Sequence, residues 1–207
     1  MGGHAAGEKA AQLAVESIAN FLYNHKTNAK PMALLEECLY EANDIIYKIA
    51  QSIPQYRRMG TTCVIAHLPE NSEFLYYGHV GDSRLYWKNS TGFRQMTQDH
   101  SYVQFLISMG ALTPEEAAFH PRRHVILRAL GISPKPEPEI ASQPIAVREG
   151  DVILLCSDGL TNMLPDSEIE VYLSLALPLE ERGHRLLRAA NEAGGEDNIT
   201  LVLIEFS

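Results

Sequence analysis

Three aspartates stand where carboxylates could act together. Asp158 follows the apolar run Val152–Cys156, in Cys156-Ser157-Asp158-Gly159-Leu160. Asp197 comes just before the apolar run 199–206, in Gly194-Gly195-Glu196-Asp197-Asn198, and Asp99 follows residues 93–97, in Thr97-Gln98-Asp99-His100. Each apolar run has the length and composition of a strand. If the strand before Asp158 and the strand after Asp197 are antiparallel neighbours, both carboxylates reach the same sheet edge, where Asp99 could join them. Carboxylates gathered without Lys or Arg repel one another, and the cluster must take up protons or bind cations. An all-oxygen donor set suits hard divalent ions such as Mg²⁺ or Mn²⁺. Each aspartate also has a plainer reading, because Asp-Gly and Asp-Asn are ordinary turn chemistry.

Several elements must position these residues. Ala11, Ala14, Val15, Ile18 and Leu22 share one face of a first helix. After Asn28 and Pro31, a second helix carries Leu35, Cys38, Leu39, Ala42, Ile46 and Ile49 on one side, and Pro54 stops it near Ser52-Ile53. Strands are expected over 61–68, 74–80, 84–88 and 93–97, with Gly81-Asp82-Ser83 short enough for a tight hairpin in which Asp82 and Arg84 could pair. Helices are expected over 101–109, 114–119, 165–176 and 179–193, the second of them capped by Thr113, Pro114 and Glu116. The last segment, 199–206, is apolar on both faces, like a central strand. This order of elements predicts an α+β protein with antiparallel sheets.

Composition narrows the function classes. The 207 residues are 45% hydrophobic, enough for one domain with a substantial core, and no linker, repeat or low-complexity tract divides them. The net charge of −9, from 17 basic and 26 acidic residues, argues against nucleic acid as a partner. No apolar run approaches the roughly 20 residues of a membrane span, so no membrane association is expected. Cys38, Cys63 and Cys156 form no C-x-x-C pair and read as buried thiols of a reducing compartment, which implies the cytoplasm.

Six motifs occur in order: Met1-Gly2-Gly3-His4-Ala5-Ala6-Gly7-Glu8, Met59-Gly60-Thr61-Thr62, Gly78-His79-Val80-Gly81-Asp82-Ser83-Arg84, Thr97-Gln98-Asp99-His100, Ser157-Asp158-Gly159-Leu160 and Glu196-Asp197-Asn198-Ile199-Thr200. Together they resemble the bacterial branch of the metal-dependent protein serine/threonine phosphatases, the PPM or type 2C family. Residues 110–123 resemble the flap region of that branch. The resemblance covers the whole chain, so residues 1–207 would form a single phosphatase domain. Its fold would be two stacked antiparallel β-sheets flanked by helices, an αββα sandwich, lacking the first strands.

The resemblance also implies roles. Asp158 and Asp197 match aspartates that hold the first of two catalytic Mg²⁺ or Mn²⁺ ions, and Asp99 with Asp158 matches the pair for a third, weaker ion. The implied reaction is hydrolysis of phosphoserine and phosphothreonine in proteins by a metal-activated water, opposed by a Ser/Thr kinase. Asn198 would orient the Asp197 loop through side-chain to backbone bonds, alongside Gly159, and His4 reads as structural. Family members carry an Asp-Gly directly before the residues matching Met1-Gly2-Gly3-His4, with a phosphate-binding Arg farther upstream, and no residue here can be assigned to those roles. The sequence therefore predicts weak turnover for the chain as it stands, and exposed sheet edges that would favour pairing with a second copy. A catalytically inactive relative that binds phosphoproteins or a regulatory partner is the alternative reading.

Overall fold

The computed structural model describes residues 4–25 and 30–207, with side chains from Ala6 onward. Asn28 and the side chain of His4 therefore lie outside the described residues. The chain gathers into two compact units, one of residues up to 82 with 99–145, the other of 83–98 with 146–207.

In the first unit, α1 (His4–Asn24) packs on α2 (Pro31–Ser52). Ala6, Ala10 and Ala14 are buried on α1, and such small side chains let two helix backbones approach closely. Pro31 opens α2 at its first turn, and Ile53 ends it in an extended conformation just before Pro54, as the sequence requires. The buried face of α2 carries Leu35, Cys38, Leu39, Ala42 and Ile46. It also buries Asn43, whose amide donates to the Ser133 carbonyl at 3.0 Å and whose Oδ1 accepts from Gly131 N at 2.8 Å. The sheet of this unit runs β1 (Cys63–His67), β2 (Phe74–Val80), β5 (Glu139–Ile140), all antiparallel. Two short helices follow β2 in the chain, α3 (Tyr102–Ser108) and α4 (Pro114–Ala118), and α4 carries the expected Thr113/Glu116 capping box.

The second unit holds an antiparallel sheet in the order β4 (Gly92–Gln95), β3 (Arg84–Asn89), β7 (Val152–Cys156), β8 (Leu201–Glu205). Alternate residues Val152, Leu154 and Cys156 of β7 share a core with Leu160, Leu164, Ile169, Leu173, Leu186 and Ala190 from the helices. Those helices are α5 (Asp158–Thr161), α6 (Asp166–Leu173) and α7 (Leu179–Glu192). The α+β class and the two antiparallel sheets agree with the sequence reading, and β5, β6 (Ile145–Ala146) and α5 are additions to it.

On α1 the expected face is not wholly the buried one, since Ala11 and Val15 are exposed, Val15 at 69%. Two expectations about the strands fail as well. Gly81-Asp82-Ser83 does not turn a hairpin, because β2 pairs with β1 and β5 while β3 pairs with β4 and β7. The reason lies in the backbone of Gly81. Its N–H donates to His100 Nδ1 at 3.2 Å and its carbonyl accepts from His100 N at 2.9 Å, so the groups a hairpin would use are already engaged. Its φ of +108° and the tight approach of Thr62, which leaves no room for a Cβ, make glycine the residue that fits. The second failure is β8, which lies at the end of the strand order among the described residues, with Val202 52% exposed, instead of being central.

Candidate metal centre

The register of β7 against β8 decides which acids meet. Cys156 lies opposite Leu201, so the chain beyond each partner leaves the same end of the sheet. Ser157 then ties the two exits together. Its N–H donates to the Thr200 carbonyl at 3.0 Å, its Oγ accepts from Thr200 N at 3.0 Å, and its hydroxyl donates to the Asn198 carbonyl at 3.1 Å. Gly159 packs against the same loop. A Cβ there would sit 2.9 Å from the Asn198 carbonyl carbon and nearer still to its oxygen. Asp158 and Asp197, one on each exit, are therefore held close by backbone and one serine.

The carboxylates sit in different local frames. Asp158 begins α5, where its carbonyl accepts from Asn162 N at 2.8 Å and its Oδ2 accepts from Asn162 Nδ2 at 3.2 Å. Asp197 is exposed and its Oδ1 accepts from Asn198 N at 2.7 Å. The bonds at Asn198 thus run through its backbone N–H and C=O, not through the side chain as the sequence suggested. Ser157 and Asn162 were not singled out from the sequence. Asn four residues after an Asp on a helical turn is the signal that could have found the latter.

Burial, and after it the negative charge of Asp197, raises the Asp158 carboxyl above the usual range, while N–H donors of Gly159 and Asn162 oppose the shift. Neither aspartate pairs with a Lys or Arg among the described residues. Two mutually repelling carboxylates without a basic partner form an incomplete electrostatic unit, and an oxygen-preferring divalent cation would complete it. The donor chemistry therefore fits Mg²⁺ or Mn²⁺. Asp99 belongs to the other unit, where it is partly buried beside His100.

That unit holds a second group of ligand-type residues, His79, His100 and Glu139, with donor atoms within 4.8 Å of one another. Its hydrogen bonds argue against a cation. Because Gly81 N–H occupies His100 Nδ1, the imidazole proton sits on Nε2, which faces Glu139 Oε2 at 3.4 Å. Arg128 Nη1 lies 3.3 Å from that same nitrogen, a positive neighbour beside an N–H. Burial, the stacked His79 ring and Arg128 together push His100 down to about 4, with Glu139 opposing. The His100 ring, its Nδ1 occupied by Gly81 N–H, acts as a structural brace, and imidazole nitrogens are a poor match for hard ions.

Elsewhere in unit 2, Tyr86 donates to Asp166 Oδ1 at 2.8 Å and accepts from Arg84 Nη1 at 2.9 Å, linking β3 to the start of α6. The thiols of Cys38 and Cys63 are pushed up to about 12 by burial and stay protonated. All three cysteines are free. No helix among the described residues is long and apolar enough to cross a membrane.

The chain is similar to known proteins along nearly its whole length. The family described as protein phosphatase 2C matches residues 1–203. The serine/threonine phosphatase stp of Listeria innocua is 38% identical over 208 residues, covering 99% of this chain and 81% of that protein. The Mycobacterium tuberculosis serine/threonine phosphatase PstP/Ppp superposes with a TM-score of 0.88 at 37% identity, over 98% of this chain and 83% of that one. The catalytic domain of PstP in complex with two manganese ions gives a TM-score of 0.85 at 35% identity, again over 98% and 83%. A match along nearly the whole chain, in sequence and in fold, makes this chain a member of the protein phosphatase 2C family, the metal-dependent protein serine/threonine phosphatases.

Proposed function

We propose that the chain hydrolyses phosphoserine and phosphothreonine in proteins, with Asp158 and Asp197 holding a divalent cation and Asp99 contributing to a further one. Both units together would make the single catalytic domain, acting in the cytoplasm against a Ser/Thr kinase. The juxtaposition of Asp158 and Asp197 without a basic partner carries this reading.

Bound Mg²⁺ or Mn²⁺ supplies a water of lowered pKa and neutralises charge on the phosphoryl oxygens. The chain's own residues prepare the place. Ser157 and the tight Gly159–Asn198 approach keep the two carboxylates from relaxing apart, although repulsion favours separation. Asn162 fixes the rotation of the Asp158 carboxylate by donating to Oδ2. The N–H of Gly159 and the Asn162 amide offset only part of the burial and like-charge repulsion, so the Asp158 carboxyl stays above its usual range.

The test pairs Mn²⁺ binding, by calorimetry or electron paramagnetic resonance, with phosphate release from a phosphothreonine peptide. Asp158→Asn and Asp197→Asn should each abolish both signals. Mn²⁺ affinity unchanged in both variants would overturn the assignment.

A further inference from the structure

The sulfur atoms of this chain are unevenly protected. Cys38 and Cys156 are buried, and burial pushes the thiols of Cys38 and Cys63 up to about 12, so these two lack the thiolate that peroxides attack. A thioether needs no deprotonation to be oxidised. Met32 and Met109 are exposed, Met59 is wholly buried, and Met96 and Met163 are partly buried. Of these, Met163 stands beside the aspartate pair.

Met163 follows α5, the helix that Asp158 begins, and its N–H donates to the Leu160 carbonyl at 3.2 Å. Its side chain packs on the core of the second unit and reaches the loop that carries Asp197. A Cβ placed on Gly194 would stand 3.4 Å from Met163 Sδ, so the sulfur lies against the backbone shortly before Asp197. The chain there turns on two glycines, with φ of +144° at Gly194 and +56° at Gly195, and it is exposed from Asn191 to Asn198. The N–H groups of both glycines already donate to the carbonyls of Asn191 and Ala190, each at 3.2 Å. Ser157 ties the loop only from Asn198 onward, which leaves the stretch before it to contacts such as this one. The thioether is thus a soft, apolar spacer between the two segments that carry the acids.

We propose that Met163 is a sulfoxidation site whose oxidation opens the Asp158–Asp197 pair and weakens its hold on the metal, an inference that rests on the metal-centre reading above. Hydrogen peroxide transfers one oxygen to Sδ: its O–O bond breaks, an S=O bond forms, the sulfur is oxidised, and water leaves. The new oxygen is polar and adds volume against a backbone whose donors are already taken. It draws water into the contact and pushes the 194–198 loop outward, which moves Asp197 away from Asp158. A methionine sulfoxide reductase restores the thioether, so the change is reversible.

To test this, the metal-free full chain is treated with hydrogen peroxide, the peroxide is removed with catalase, and sulfoxides are located by peptide mass spectrometry before Mn²⁺ affinity is measured by calorimetry. Met32 and Met109 should oxidise first, Met163 next and Met59 last. Affinity should fall about tenfold in step with the Met163 sulfoxide, not with those of Met32 and Met109, and the reductase should bring it back. Met163→Leu, close in volume and free of sulfur, should keep its affinity through the same treatment, while Met163→Gln should bind weakly with no peroxide at all. Met163 that stays reduced in the folded chain, full affinity with its sulfoxide formed, or an equal loss in Met163→Leu would each overturn the proposal. The time course and its repair are read on the unmutated chain, so they decide the matter even where a variant misfolds. Mn²⁺ binding indifferent to Asp158→Asn condemns the metal assignment itself, whereas binding that needs Asp158 and ignores the Met163 sulfoxide condemns this site alone.

Discussion

The end of the β7–β8 pair and the His79–His100–Glu139 group are both clusters of residues that commonly bind metals, and they resolve their charge in opposite ways. In the histidine group Gly81 N–H donates to His100 Nδ1, Nε2–H faces the Glu139 carboxylate, and Arg128 stands close by as a counter-charge. At the aspartates the donors available are the N–H groups of Gly159 and Asn198 and the Asn162 amide, and the negative charge is left without a counter-charge among the described residues. Proximity of ligand-type residues therefore distinguishes nothing by itself. What marks a cation site is a charge that the protein gathers and does not neutralise.

The largest effect should come from removing that charge. Asp158→Asn or Asp197→Asn should weaken Mn²⁺ binding by more than about 100-fold, while Glu139→Gln changes it by less than about threefold. A comparable loss in Glu139→Gln would erase the contrast. Next comes the packing that enforces proximity. Gly159→Ala should cost about 1–3 kcal/mol in denaturant unfolding and also weaken Mn²⁺ binding, because the added methyl drives the Asn198 loop away. A stability loss with full metal affinity would show that loop spacing does not govern the site.

Acid titration separates the clusters further. His100 has its folded pKa depressed to about 4 from an ordinary 6.5, so the unfolded chain binds its proton first as pH falls. The stability His100 contributes is complete above about 6.5 and is lost as pH drops towards 4, and His100→Gln should flatten the melting temperature across that window. Asp158 has the opposite sign. Its raised folded pKa means that its ionisation costs stability above the ordinary value of 3.8, so in metal-free protein Asp158→Asn should raise the melting temperature at neutral pH and have no effect well below 3.8. Adding Mn²⁺ should reverse that ranking. The smallest change is Tyr86→Phe, which removes one hydroxyl from the Arg84–Asp166 link and should cost about 1 kcal/mol with Mn²⁺ affinity unaltered. A large metal effect there would extend the site beyond the carboxylate loops.

Much of the local structure was legible in the sequence because its signals are local. The stop of α2 before Pro54, the Thr113/Glu116 cap and the strand Val152–Cys156 each depend on residues within a few positions of one another. Asp158 and Asp197 could be named as candidates for the same reason, since each borders an apolar run. Asn43 and Ser157 were harder to see, because their importance comes from partners far along the chain, Ser133 and Gly131 for the first and Asn198 and Thr200 for the second.

Sequence alone settled which residue types were present, the bounds of most longer strands and helices to within a few residues, and that the acids outnumber the bases, while α5, β5, β6 and the start of α1 at His4 escaped it. The tertiary structure decided which strands are neighbours. It separated β2 from β3 at Gly81, where the sequence suggested a hairpin, because His100 engages the backbone groups that the hairpin would have used. It also set the β7–β8 register that brings Asp158 and Asp197 together across 38 intervening residues. Pairing and burial depend on contacts between distant segments, and whether a carboxylate is paired or left in want of a cation is a property of those contacts.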